Sequence, residues 1–302
     1  MKWRYLLYTM IVGIGFTACS EDNAMLQSKE SNEKAIVHIN LQQDGQVIDA
    51  NTRSTSPMPL EDANKMYDLW LLHYNKEGSL IDTQYNGRIN SAGELEVNWS
   101  PTLTAGEGTL CLVANLGSTP KEWPIFLADL QKTDFIDLPI NGTGLYTNKM
   151  YMFGYYEGKI SNGMTLNILM GRMAACINIV ITSTYTNEHK ISTNLNNAVT
   201  NTHYFPMEEG NNGSGLKYQN FQDLDAGTVS NSKSLTLYYY TGENIHPNEG
   251  NRTSIVITAK RTGSNTTKKY TINLSSDAPG TANRNYSLYR NNNYTFNITL
   301  KN

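Results

Sequence analysis

Apolar and polar residues alternate along this chain in short runs separated by turn residues. The first such run is Ala35-Ile36-Val37-His38-Ile39-Asn40-Leu41. Its odd-numbered members are apolar throughout, so Ala35, Val37, Ile39 and Leu41 are expected on the buried face of a strand. Residues 66–74 read as a second strand, which Asn75-Lys76-Glu77-Gly78 turns back into residues 79–82. Residues 93–99 alternate again. The stretch 108–117 contains Leu110-Cys111-Leu112-Val113 and reads as the most deeply buried strand of this half. Between them and the next strand, Trp123, Phe126, Leu127 and Leu130 recur at helical spacing, which predicts one short helix over 122–132. Residues 151–155 lead into the last strand of the half.

The second half repeats the style. A long apolar run over 166–182 is interrupted by Gly171-Arg172, and 235–240, 254–258, 269–274 and 293–300 each read as strands. Residues 185–232 are polar and irregular and are expected to be long loops. Short strands punctuated by turns predict an all-β chain of two tandem sandwiches rather than βαβ units. The 302 residues suffice for two domains of about 100–150 residues. The expected division lies near residue 160, giving domains over 34–160 and 161–302. Composition agrees: 36 Asn and 23 Gly favour turns, while 31 Thr and 19 Tyr favour strands.

Charge excludes some functions. With 24 basic and 27 acidic residues the net charge is −3, which argues against a nucleic-acid partner. The five histidines are scattered without metal-ligand spacing, so no metal or cofactor is expected. There is no Gly-rich phosphate loop, no Gly-x-Ser-x-Gly elbow and no Cys-x-x-Cys pair. Glu208, Glu209 and Glu243 read as solvated loop charges rather than a hydrolytic carboxylate pair. Asn-x-Ser/Thr triplets at Asn141, Asn212 and Asn293 are expected by chance in so Asn- and Thr-rich a chain. Tyr155-Tyr156 and Tyr238-Tyr239-Tyr240 offer aromatic faces for sugars, but in alternating strands half of them belong to the core. No enzymatic activity is expected.

The N-terminus carries an address. Lys2 and Arg4 precede an apolar stretch over 5–16, long enough for a signal sequence and too short to span a bilayer. Phe16-Thr17-Ala18-Cys19 then resembles a bacterial lipobox, in which the thiol is acylated and the chain is cut before it. Residues 1–18 are thus expected to be a lipoprotein signal peptide and 19–33 a tether. Ser20-Glu21-Asp22-Asn23 resembles the surface-export signal of Bacteroidetes lipoproteins. The expected location is the cell surface, as an outer-membrane lipoprotein. Cys111 and Cys176 lie inside apolar runs and read as buried thiols, with a disulfide between them as the alternative.

Several segments, in order, resemble the fimbrillins of Bacteroidales, the subunits of type V pili. They are lipobox Cys19, the strand 35–41, a loop with Arg53, and the strand 68–74 with its turn. Leu112-Val113-Ala114-Asn115-Leu116-Gly117 and the helix at 122–132 follow. Arg172-Met173-Ala174-Ala175 is similar to the Arg-x-x-Ala opening of the family's second domain. Arg290-Asn291-Asn292-Asn293-Tyr294 is similar to its Arg-Asn-x-x-Tyr strand. The resemblance implies two sandwiches of Greek-key-like (transthyretin-like) topology.

The resemblance also implies a mechanism. An Arg-specific protease cuts the loop after the first strand, and a strand from another subunit fills the emptied groove by backbone pairing. Here the displaced strand is 35–41 and the matching cut falls between Arg53 and Ser54. Arg53 is the only Lys or Arg between Lys34 and Lys65. Shaft fimbrillins continue past the Arg-Asn-x-x-Tyr strand into a donor strand, whereas this sequence ends at Asn302, so a tip or other terminal, minor subunit is expected. Its partners would be other fimbrial subunits, the outer membrane before processing, and a host or bacterial surface ligand. A fimbrial anchor that keeps its lipid, and a surface glycan-binding lipoprotein, are the alternatives.

Overall fold

The computed structural model describes residues 33–43, 64–120, 130–137, 139–141, 150–207, 215–277 and 284–301. In the first half these form β1 (Lys34–Ile36), β2 (His38–Gln43), β3 (Leu69–Asn75), β4 (Leu80–Asn86), β5 (Asn98–Trp99) and β6 (Thr102–Thr104). Then come β7 (Gly106–Ala114), helix α1 (Lys132–Asp137), β8 (Pro139–Asn141), β9 (Met152–Ile160) and β10 (Thr165–Arg172). The second half holds β11 (Ala175–Ser183), β12 (His189–Val199), β13 (Asn201–His203) and β14 (Tyr218–Val229). It finishes with β15 (Leu235–Thr241), β16 (Ser254–Arg261), β17 (Thr267–Asn273) and β18 (Asn293–Leu300).

Seven strands in the order β4-β3-β7-β9-β10-β2-β5 form the first sheet, and β6 pairs with β1 beside it. The sheet curls around one core in which Leu69, Leu71, Leu110, Leu112, Ile160 and Ile168 meet Val37 and Ile39. Strands β3 and β7 are buried on both faces, because Leu72, Tyr74, Cys111 and Val113 pack a second cluster with Leu130 and Tyr204. Burial on both sides is why these strands read as continuous apolar runs. Gly154 permits the close approach of β9 to β10, since a Cβ there would lie 2.5 Å from the Leu169 carbonyl oxygen. The second sandwich stacks β15-β11-β18 on β14-β12-β16-β17 around Ile177, Ile179, Ile191, Leu195, Ile255 and Ile257.

Three expectations change, and a fourth falls mostly outside the described residues. Strand β10, assigned from the sequence to the second domain, lies in the first sheet between β9 and β2, so the sheets divide at Met173-Ala174 instead of near 160. Residues 185–232 are largely strand, including the eleven-residue β12 and twelve-residue β14. The stretch 93–99 is strand only at Asn98–Trp99. There the Asn90 side chain accepts from the amides of Ala92 and Glu94, and this local turn competes with a ladder. The described helix begins at Lys132, where the expected one ends; residues 121–129 lie outside the described set.

The two halves share one line of backbone. The Met164 carbonyl accepts from His38, and Cys176 donates to Asn292, each pair 2.8 Å apart. In parallel pairing, the N–H and C=O of alternate residues point to one side. Even-numbered residues from 164 to 184 therefore face a single edge, which β2 covers along β10 and β18 covers along β11. At the crossing, Arg172 donates its amide to the Asn291 side chain at 3.1 Å, and Asn291 donates its own amide to Ala174 at 2.8 Å. Asn291 sits at φ 59° to do so, a left-handed conformation that Asn tolerates. The Arg172 and Arg290 motifs, 118 residues apart in the chain, thus meet at the joint.

Candidate functional site

The segment 33–43 is bonded along both edges. On one side, Ala105 donates to the Glu33 carbonyl at 2.8 Å, Val37 to Pro101 at 3.1 Å and Leu41 to Val97 at 3.1 Å. On the other, Gly163 donates to Ile36 and His38 to Met164, both at 2.8 Å, before the parallel register of β2 with β10 begins. Strand β1 pairs with β6, and β2 lies between β10 and β5. Outward-facing polar groups add Ile36 N–H to Asn162, His38 to Ser100 and Asn40 to Asn167.

Alternation does the rest. Ala35, Val37 and Ile39 are 0% exposed and Leu41 is 6% exposed, all within the first core, while Ile36 is 49% exposed. Removing the segment would leave an apolar trough floored by Leu103, Leu166, Ile168 and Met170. Its walls would be the unpaired peptide groups of 97–105 and 163–170. Where β2 ends, a cleft of about 460 Å³ lies between Leu41, Asn64, Met66, Leu95 and Val97. Arg53 and Ser54, expected from the sequence as a processing site, and Cys19, expected as a lipidation site, lie outside the described residues.

The chain from residue 65 onward is pinned firmly. Asn115, at φ 70°, accepts from the Tyr67 amide and donates to the carbonyls of Lys65 and Met150. Asp68 accepts from the Gly117 amide and Trp70 donates its indole N–H to the Gly117 carbonyl. The Leu-Val-Ala-Asn-Leu-Gly motif is therefore the clamp on residues 65–70, so that a cut upstream leaves this end in place.

A second clamp was misread in the sequence. Glu243 is not a solvated loop charge: it is 2% exposed and paired with Arg290. Arg290 also donates to the carbonyls of His203, Tyr204 and Phe205 and to the Thr202 hydroxyl, while Glu243 accepts from the Met207 amide. This holds the segment whose Tyr204 and Phe205 pack against Phe153 of the first sheet. Glu208 and Glu209 lie outside the described residues.

Cys111 and Cys176 are unpaired and buried; burial raises the Cys111 thiol pKa and pushes Cys176 up to about 12, so both stay protonated. Burial lowers His73 to about 4, and its Nδ1 has no hydrogen-bond partner. The unfolded chain then binds a proton on His73 that the folded chain refuses between about pH 6.5 and 4. We expect the melting temperature to fall as pH drops through that window. A His73→Gln variant should flatten the slope between pH 6.5 and 5, and an unchanged slope would exclude His73 as its source. Among the described residues no group of His, Cys, Asp and Glu is arranged to hold a metal, and no helix is long and apolar enough to cross a membrane.

This fold of two β-sandwiches is shared with solved cell-adhesion and fimbrial proteins. The chain is similar to a candidate cell-adhesion protein from Parabacteroides distasonis, with 16% identity over 88% of each chain and a TM-score of 0.62. It is also similar to the tip fimbrial protein Mfa3 from Porphyromonas gingivalis, solved with a C-terminal truncation. There the identity is 14% over 88% of this chain and 94% of that one, with a TM-score of 0.60. A candidate cell-adhesion protein from Bacteroides eggerthii aligns at 16% identity, covering 90% and 87%, with a TM-score of 0.55. No protein-family model and no curated protein matches the sequence.

Proposed function

We propose that the protein is a non-enzymatic structural and adhesive subunit of a type V fimbria, at the tip or another terminal, minor position, assembled by protease-triggered strand exchange. The observation that carries this reading is the segment 33–43. It is bonded on both edges and buries four side chains in the first core, yet it joins the rest of the chain only through residues 44–63, whose single basic residue is Arg53. A segment held like a core strand, with one basic residue in the stretch that connects it onward, suits replacement by a partner's strand. The terminal position draws its support from the shared fold with a tip fimbrial protein.

Before processing, the lipid on Cys19 would hold the protein in the outer membrane at the cell surface. N-terminal sequencing of the protein in sheared fimbriae tests this. A mature N-terminus at Ser54 is expected, and Arg53→Ala should keep the protein uncut and out of fimbriae. An intact acylated Cys19 in assembled fimbriae would instead make it the anchor. Cys19→Ala should lose acylation and membrane retention; unchanged retention would overturn the lipoprotein assignment. Binding of soluble polysaccharide by the purified protein, with no uptake into fimbriae, would favour a glycan-binding lipoprotein.

A further inference from the structure

Among the described residues, the second sandwich is open on one side. On its other side the turn at 230–233 joins β14 to β15, but β17 and β18 are each the last strand of their sheet and do not pair with one another. A cleft of about 750 Å³ separates them. Its floor is apolar: Ile272, Tyr294, Phe296 and Ile298 line it and belong to, or pack on, the second core.

The polar groups along its rims follow from the ladders. Cys176 donates to Asn292 and Thr184 to Leu300, so the even-numbered residues of β18 bond β11. The peptide groups of Thr295, Asn297 and Thr299 therefore face the cleft and pair with no strand among the described residues. On the facing rim, Leu274 donates to Thr253 and Arg261 to Thr266, which commits the even-numbered residues of β17 to β16. Thr271 and Asn273 are thus left facing inward across the gap. Exposed strand edges over an apolar floor form a template for another strand. At the end nearest Asn273 and Tyr294 stands Arg284. Its guanidinium donates to the Asp277 carbonyl, but its buried Nε has no hydrogen-bond partner, and the Asp277 carboxylate is engaged by the Asn285 amide.

We propose that this cleft is a second strand-receiving site. Its occupant is an extended segment of a neighbouring fimbrial subunit, with alternating apolar residues, pairing antiparallel to β18 and placing its C-terminal carboxylate at Arg284. The polarity follows from the charge, because Arg284 lies at the N-terminal end of β18. Along the β10–β11 ribbon β18 takes the place that β2 takes in the other half, so the cleft lies on the far side of β18, as β5 lies on the far side of β2. The identity of the partner rests on the fimbrial reading above; the vacancy itself does not.

The test uses the full chain carrying Arg53→Ala, in which the first strand stays in place and the first groove is closed. The probe is a synthetic Lys-(Thr-Val)4 peptide with a free carboxylate. We expect saturable binding to the uncut protein, with slowed hydrogen exchange at the amides of Thr295, Asn297 and Thr299. Asn297→Pro, which removes a cleft-facing N–H and leaves the β11 ladder intact, should weaken binding at least tenfold. If that variant does not fold, Ile272→Glu, which puts a charge on the floor, should do the same. Amidating the peptide or introducing Arg284→Gln should each weaken binding severalfold; no change in either would overturn the antiparallel placement. No binding to the uncut chain overturns the second site. Binding only after cleavage, with protection confined to 97–105 and 163–170, overturns it too while leaving the strand-exchange reading of the first groove intact.

Discussion

A protein beginning at Ser54 should melt at least about 10 °C below the uncut chain and regain stability when a peptide of residues 33–43 is added in trans. Burying a Val, Ile or Leu side chain stabilises by roughly 1.5–3 kcal/mol. Val37, Ile39 and Leu41 together then contribute on the order of 5 kcal/mol or more. That is comparable with the whole margin of about 5–15 kcal/mol that keeps a domain folded. Each kcal/mol moves the midpoint by about 2–4 °C in a protein of this size class. Backbone pairing lost along both edges adds to the effect. Thermal melting with and without peptide gives the answer directly. Equal midpoints for the two forms would show that the segment is no working part of the sandwich, and strand exchange would lose its driving force. Partial rescue by a peptide in which Ile39 is replaced by Asp, matching the native peptide, would also count against the pocket assignment.

Among single substitutions, the largest loss is expected at Arg290. Arg290→Met strands the Glu243 carboxylate in a site that is 2% exposed and takes a donor from three carbonyls. Breaking a buried ion pair from one side costs about 3–5 kcal/mol, because the remaining charge is left out of water without its counter-ion. The melting temperature should fall by about 10 °C on that basis. Glu243→Gln should cost less, since Arg290 keeps its carbonyl acceptors and an amide oxygen still accepts from Met207. The double variant Arg290→Met/Glu243→Leu should recover part of the loss, as apolar replacements of buried pairs often do. A midpoint for Arg290→Met within 2 °C of the parent would refute the clamp.

The two clamps explain what the family-like motifs do physically. Arg172, Asn291 and Arg290 fasten the joint between the sandwiches, and Asn115 with Asp68 fastens the chain downstream of the loop. On the proposed strand exchange, the remaining walls must hold their positions while the groove is empty. Rigid walls lower the ordering cost of the incoming strand, which is where preorganisation acts on affinity.

The sequence by itself determined the elements whose information is local. Odd-numbered apolar residues over 35–41 specify which face of that strand is inside, since a strand has a period of two and one face meets the core. The doubly buried Leu110-Cys111-Leu112-Val113 run was legible as an unbroken apolar stretch, and the turn at 75–78 from its Asn and Gly. Strand β12 was not, because its inward positions include His189 and Thr193 among Ile191 and Leu195, which dilutes the contrast. In β14 nearly every position is at least partly exposed, so no alternation exists to be read. Tertiary structure alone decided three things: that β10 joins the first sheet beside β2, that Glu243 lies against Arg290, and that β17 and β18 stand apart as facing edges. Each is a relation between segments distant in the chain. A charge pair 47 residues apart, or a strand's choice between two neighbouring sheets, depends on which surfaces remain to be covered once every other strand is placed. No local pattern records that, because the free energy belongs to the contact and not to either segment.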